Sequence, residues 1–257
     1  MSLIFENDLG LVSFFRFFFC ILFGSIFFYV EVTKKYQLSY SKFNETGNLD
    51  SKKGMFFIYF LPLITYVYFY LHSNFNSTLY QQLIFIAVTL HFAKRCLESL
   101  FLHKYSGKIS IVTTFFIAWA YSSISYTIHE SVNIFTELEK VESDVNISLW
   151  IGFSIFLIGQ GSNLYHHILL TKLRSGGNKE YKIPEGGLFG LVNCPHYLSE
   201  IIGWIGISIM SRYLIVFGLT YIMAAYLVAR SINTTKWYQE KIPDYPKDRK
   251  SIIPFLL

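Results

Sequence analysis

"EYKIPEGGLFGLVNCPHYLSE", residues 180–200, begins as a polar, basic turn and ends inside one of the most apolar parts of the chain. It carries Tyr181, Tyr197, the pair Gly186-Gly187, Pro195, His196 and Glu200 across that edge. Such an edge reads as the mouth of a membrane-spanning helix. Pro195 suits a first helical turn, where its missing N–H costs nothing. The Gly pair permits a tight turn and a close backbone approach to a ligand. A plain turn before a helix explains the Pro and the Gly residues. It does not explain three hydrogen-bonding side chains, His196, Tyr197 and Glu200, at i, i+1 and i+4 of one apolar helix.

Working outward, several other apolar runs approach the roughly 20 residues needed to cross a bilayer. Aromatic residues are 19% of the chain and charged residues only 15%, so the chain reads as a multi-span membrane protein and not a soluble globule. Its length suits one compact bundle, 1–257, without a separate soluble domain. The net charge of +5 belongs to cytosolic loops, so no nucleic-acid partner is expected. Cys20 and Cys96 lie in apolar segments and Cys194 at a membrane edge; none has metal-ligand spacing, and no metal or disulfide framework is expected. The start has Glu6 and Asp8 but no basic stretch, and its first apolar run ends at Glu31 and Lys34. It reads as a retained helix.

Seven spans are predicted: 11–32, 54–71, 79–102, 109–128, 148–171, 195–211 and 213–230. Pro62 is expected to kink the second, and the split at Ser211-Arg212 reads either as a tight turn or as one long helix. Lys34, Lys35, Lys42, Lys52 and Lys53 fill the first loop. Lys104 and Lys108 lie in the third, and Lys172, Arg174, Lys179 and Lys182 in the fifth. The tail is basic, the second loop has no Lys or Arg, and the fourth is acidic. The positive-inside rule then puts the N-terminus in the lumen and the tail in the cytosol.

Ionisable residues inside spans are costly and usually functional. In "LHFAKRCLESLFLHKYSG" (90–107), His91, Lys94, Arg95 and Glu98 share one broad helical face. Snorkelling accounts for Lys94 and Arg95 one at a time, but not for the deeper His91. In "GQGSNLYHHILLTKLRSGG" (159–177), Asn163, His167, Thr171 and Arg174 recur at helical spacing, while His166 points elsewhere. "GQGSNL" lacks the third Gly and the βαβ setting of a dinucleotide fingerprint. No P-loop and no Ser/Cys–His hydrolase motif is evident.

With those residues read, "KEYKIPEGGLF", "CPHYLSE" and the ending "DYPKDRKSIIPFLL" resemble the C-terminal domain of the steroid 5α-reductase family, over 91–257. That family includes steroid 5α-reductases, polyprenol reductases and very-long-chain trans-2-enoyl-CoA reductases. The resemblance implies an all-α, seven-helix membrane reductase of the endoplasmic reticulum. It would use NADPH to reduce a carbon–carbon double bond conjugated to a carbonyl of a lipid. By the same resemblance, Asn163, Arg174, Tyr181, Glu200, Arg230 and Tyr238 fall on cofactor-contacting positions of the steroid branch. His167, Lys182 and His196 stand where that branch has Asp, Arg and Asn. The ketone-binding pair of the second helix is replaced near Tyr59-Phe60, and Phe92 follows His91.

The stretch from His91 resembles enoyl-CoA reductases, in which Lys94, Arg95 and Tyr197 fall on residues implicated in activity. A long-chain enoyl thioester is therefore slightly preferred over a 3-oxo-steroid or a polyprenal. Lys94 or Arg95 is expected to polarise the carbonyl and Tyr197 to donate the proton, with Tyr59 and His91 next in line. Two other classes compete: a membrane methyltransferase, whose Arg-His-Pro and Glu-Glu elements are missing, and a non-catalytic sterol-binding protein.

Overall fold

The computed structural model describes residues 10–33, 47–73, 77–105, 107–138, 147–173 and 182–257. They hold seven α-helices: α1 (Leu11–Val32), α2 (Ser51–His72), α3 (Leu79–Leu97), α4 (Ile111–Leu138), α5 (Ile147–Leu173), α6 (Pro195–Ser211) and α7 (Leu214–Lys241). A short antiparallel pairing joins β1 (Leu49–Asp50) to β2 (Lys108–Ile109). Among the described residues, α1, α2, α4, α5 and α7 are long and apolar enough to cross a membrane. The chain is thus an all-α, multi-pass membrane protein. The other two helices are less plainly spans. α6 has 17 residues, and α3 carries Lys94 and Arg95 in its last turn.

Local chemistry sets the boundaries. Asp50 accepts the Lys53 N–H at 3.0 Å, so α2 begins at Ser51, ahead of the predicted edge. It then runs through Pro62 as one helix. Thr78 and Gln81 form a reciprocal capping box that starts α3. The predicted third span ends in a π-helical turn, Glu98–Leu102, that follows Leu97. α4 continues to Leu138, beyond the predicted end. Arg212 takes a left-handed φ of 58°, which breaks the backbone between α6 and α7 and favours the tight turn over one long helix.

α1 packs along α7, α2 along α4, and α5 along α6. The α5–α6 contact is backbone against backbone. A Cβ on Gly159 would stand 2.5 Å from the Gly203 nitrogen, and one on Gly206 would stand 2.5 Å from the Phe156 nitrogen. Small residues permit such an approach where no water drives helices together. The core centres on Ile84, Ala87, Val88, Phe92, Phe156 and Ile207, all fully buried. Phe14, Phe15, Phe18 and Phe19 of α1 stay exposed, as a lipid-facing surface would be.

The tail folds back onto the stretch before α6. Asn193 and Cys194 donate their N–H groups to Lys250 and Ser251 at 2.8 and 3.0 Å, and Lys250 N donates to Leu191 O at 3.2 Å. The Asn193 amide donates to Thr235 of α7 at 2.7 Å and accepts from the Tyr245 hydroxyl. Arg249 donates to Pro184 O at 2.9 Å. Residues 184–194, the end of α7 and the tail are therefore held as one piece at the mouth of α6.

Candidate active site

Two helices meet turn by turn. His91, Lys94, Arg95 and Glu98 step along one face of α3 and its π-turn, and Gln160, Asn163 and His167 step along α5. His91 Nδ1 and Gln160 Nε2 are 3.1 Å apart. Lys94 Nζ donates to Asn163 Oδ1 at 2.5 Å. Glu98 joins the last rung, taking Lys94 at 3.0 Å, Arg95 at 2.6 Å and His167 Nδ1 at 3.1 Å. Arg95, Glu98 and His167 are all buried. Removing charges from water is costly, so each ion here needs its partners in place. Asn163 carries the network to α6 by donating to the His196 carbonyl at 2.8 Å.

Arg95 also reaches α2. Its Nη2 donates to the Tyr59 hydroxyl at 2.5 Å, and the guanidinium carbon lies 4.5 Å from the Tyr59 ring centroid. Tyr59 in turn lines a cavity of about 740 Å³, counted out to its open mouth. Phe116, Ile117, Tyr121, Met223 and Tyr226 form much of its apolar wall, and Glu200 is its acidic lining residue. The site is thus an apolar chamber with Tyr59 and Glu200 at a polar end, and the cations of α3 behind Tyr59.

The predicted residues are distributed as follows. His91, Lys94, Arg95, Asn163 and His167 come together. The His196 ring lies 5.5 Å from that of His167, and the half-buried Tyr197 ring lies 4.3 Å from that of His196. Arg230 is fully buried and donates to Glu31 at 3.0 Å, while Asn233 donates to the Glu31 carbonyl at 2.7 Å. The Tyr238 ring stacks on that of Tyr245 at 5.1 Å. Lys182 is exposed. Arg174 and Tyr181 lie outside the described residues.

His166 has a different task from its neighbour. Its Nε2 accepts from Leu188 N at 3.1 Å, which leaves Nδ1 to donate to Ser162 O at 2.7 Å. That pins the Gly186–Gly190 turn to α5. Gly187 has φ +53°, and a Cβ there would strike Tyr165 and His166 at 2.7 and 2.8 Å.

Glu98, His103 and His167 could approach a metal, since their ligand atoms lie within 4.8 Å of one another. Lys94 and Arg95 already neutralise Glu98, however, and would repel a dication. Burial, then the neighbouring His167 and Arg95, push the His103 pKa down to about 3.

Gln160 is the member that sequence reasoning leaves out of the site; Glu98 is placed there on the α3 face without a role, and Tyr59 only as a reserve proton donor. The i,i+3 and i,i+4 spacing of Glu98 from Arg95 and Lys94 was the available signal. Tyr59 is singled out through the family resemblance, at the place of the ketone-binding pair of the second helix.

Comparison with known proteins identifies the family. A family model described as 3-oxo-5-alpha-steroid 4-dehydrogenase matches residues 108–257. A very-long-chain enoyl-CoA reductase of Dictyostelium discoideum is 31% identical over 208 residues, 76% of this chain and 67% of that protein. A probable very-long-chain enoyl-CoA reductase of Caenorhabditis elegans is 31% identical over 216 residues, 76% and 68% of the two chains. A 3-oxo-5-alpha-steroid 4-dehydrogenase 1 of Mus musculus is 42% identical over 108 residues, 41% and 42% of the two chains.

Proposed function

The chain belongs to the steroid 5α-reductase family of membrane oxidoreductases acting on carbon–carbon bonds, and we propose that it uses NADPH to saturate a lipid double bond conjugated to a carbonyl. A long-chain enoyl thioester is the preferred substrate, because the relatives matched over 76% of this chain are named for that activity. The second reading, a 3-oxo-steroid, is favoured by the higher identity of the shorter match. The work is assigned to the endoplasmic reticulum membrane, with seven spans and the basic tail in the cytosol.

The observation that carries this reading is Tyr59. Its oxygen receives Arg95, so its own proton is left to donate, and it lines the apolar cavity. Reduction of the conjugated alkene makes the carbonyl oxygen negative. A fixed donor at that oxygen stabilises the charge as it develops. Tyr59 is the donor, Arg95 holds it in place, and Glu98 with His167 holds Arg95. Lys94 and Asn163 brace α3 against the start of α6. The apolar wall excludes water and takes the lipid chain. Tyr197, first choice on sequence grounds, then serves at the α6 mouth.

The cofactor assignment fits in donor chemistry. Lys182 and Arg230 would supply cations for phosphate groups, His196 and Tyr238 would add hydrogen-bonding side chains, and Glu200 faces the cavity. These residues belong to segments that the tail ties together. NADPH, when bound there, supplies the hydride. Asn163 would meet the nicotinamide amide through its second N–H and second lone pair, beside its bonds to Lys94 and the His196 carbonyl. Arg230 starts out paired with Glu31, so a phosphate must share it or displace the carboxylate. The test is NADPH oxidation by membranes offered an enoyl-CoA, a 3-oxo-Δ4-steroid or a polyprenal. Turnover of none of the three removes the proposal.

A further inference from the structure

Residues 252–257 form a closed turn whose apolar side chains point outward. Ile252 N and Ile253 N both donate to Leu257 O at 2.7 Å, and Phe255 sits at a left-handed φ of 68°. That closure presents Phe255 and Leu256 at 79% and 78% exposure, with Ile253, Leu257 and Leu191 also exposed nearby. Ile252, on the inner side, is fully buried, so the turn is anchored.

Its level in the molecule follows from the tail's hydrogen bonds. Ser251 O takes the N–H of Cys194, and Pro195 opens α6. With 17 residues, α6 is about 25 Å long, close to the hydrocarbon thickness of about 30 Å. The first residue of α6 must then lie at one edge of the hydrocarbon if the helix crosses. The turn lies at the same edge. Lys250, exposed and next to Ser251, places a positive charge beside it. Apolar side chains beside a basic residue match the boundary between headgroups and acyl chains.

We infer that Phe255 and Leu256 dip into the leaflet bordering the α6 mouth and act as a lipid-surface anchor. The anchor holds more than itself. Through Lys250, Ser251 and Arg249 it is bonded to residues 184–194, so lipid contact fixes the height of that stretch above the membrane.

The test uses the full chain in vesicles of phosphatidylcholine and phosphatidylserine. Cys20, Cys96 and Cys194 are buried, so Phe255→Cys introduces an exposed thiol for an environment-sensitive fluorophore. Leu256→Cys is the second variant if the first does not fold, and Lys247→Cys is the aqueous control. The inference expects blue-shifted emission at 255, quenched by nitroxide on the lipid acyl chains and spared by iodide. Iodide quenching equal to that at 247 would overturn it. So would a signal that changes on mixing labelled with unlabelled protein at fixed lipid, because the patch would then be covered by a second copy.

Discussion

Arg95 contacts Tyr59 twice, through a 2.5 Å hydrogen bond to the hydroxyl and a guanidinium 4.5 Å over the ring. The double contact fixes both the position of the oxygen and the tilt of the ring. A donor held in this way pays no reorganisation cost when negative charge appears in front of it.

Tyr59→Phe should therefore keep the fold, at a cost of about 1–3 kcal/mol for the unpaired Arg95 N–H, and lose about 10²–10⁴-fold in the single-turnover rate, the usual range for a general acid. NADPH affinity should stay unchanged. Tyr197→Phe should cost less than about tenfold, a barrier change below about 1.4 kcal/mol. The reverse ranking would return the proton to Tyr197.

Glu98 balances Lys94 and Arg95 in a buried setting. Glu98→Ala leaves two cations facing each other and should lower stability by about 3–5 kcal/mol, the range for a broken buried pair. Thermal unfolding in detergent measures it. A loss under about 1 kcal/mol would mean the network behaves like a solvated surface pair.

The Glu31–Arg230 pair separates stability from cofactor binding. Arg230→Met alone should destabilise the fold by leaving Glu31 buried without its cation. Arg230→Met with Glu31→Leu should regain most of that stability. If Arg230 holds a phosphate, the double variant should keep a raised KM for NADPH. A normal KM in the stable double variant would remove Arg230 from the cofactor site.

His103 gives a pH signature. Its pKa falls from the ordinary 6.5 to about 3 on folding, so the folded chain keeps it neutral. Below about pH 6.5 the unfolded chain takes up a proton that the fold refuses. Its contribution is therefore present above pH 6.5 and lost as pH falls toward 3. Melting temperature measured from pH 7 to 4 should drop less steeply in His103→Gln than in the parent chain.

Gly187→Ala tests the turn before α6. A Cβ there meets His166, and the φ of +53° disfavours any side chain. The bundle should survive, with KM for NADPH rising and the alkene-reduction step itself little changed. A normal KM would detach this turn from the cofactor.

Much of this site was legible in the sequence because it rests on helical spacing. His91, Lys94, Arg95 and Glu98 were visible on one face, as were Asn163 and His167 on the facing helix. Spacing within a helix says nothing about which helix comes opposite. The pairing of Lys94 with Asn163 and of Arg95 with Tyr59 therefore needed the fold. Arg230 shows the same limit. Its charge was read as open to a phosphate, while its counter-charge lay at the other end of the chain in Glu31. Asn233-Thr234-Thr235 has the pattern of a glycosylation acceptor, which the positive-inside layout puts on the cytosolic side. The Asn233 side chain is fully buried against α1, so lack of glycan there says nothing about orientation.

The Glu31–Arg230 bond spans 199 residues, and this separation has a consequence for biogenesis. At ribosomal speeds of about 5–20 residues per second, Glu31 is made roughly 10–40 s before its partner. α1 must enter the bilayer with that carboxylate still unneutralised by Arg230. Its position in the last turn of α1 allows it to wait at headgroup level, in contact with water. The first helix thus reaches its final seat only when the last one arrives. A nascent chain arrested before Arg230 should leave Cys20, on the α1 face that later meets α7, accessible to crosslinking by lipid and translocon, and release through α7 should abolish adducts at that position.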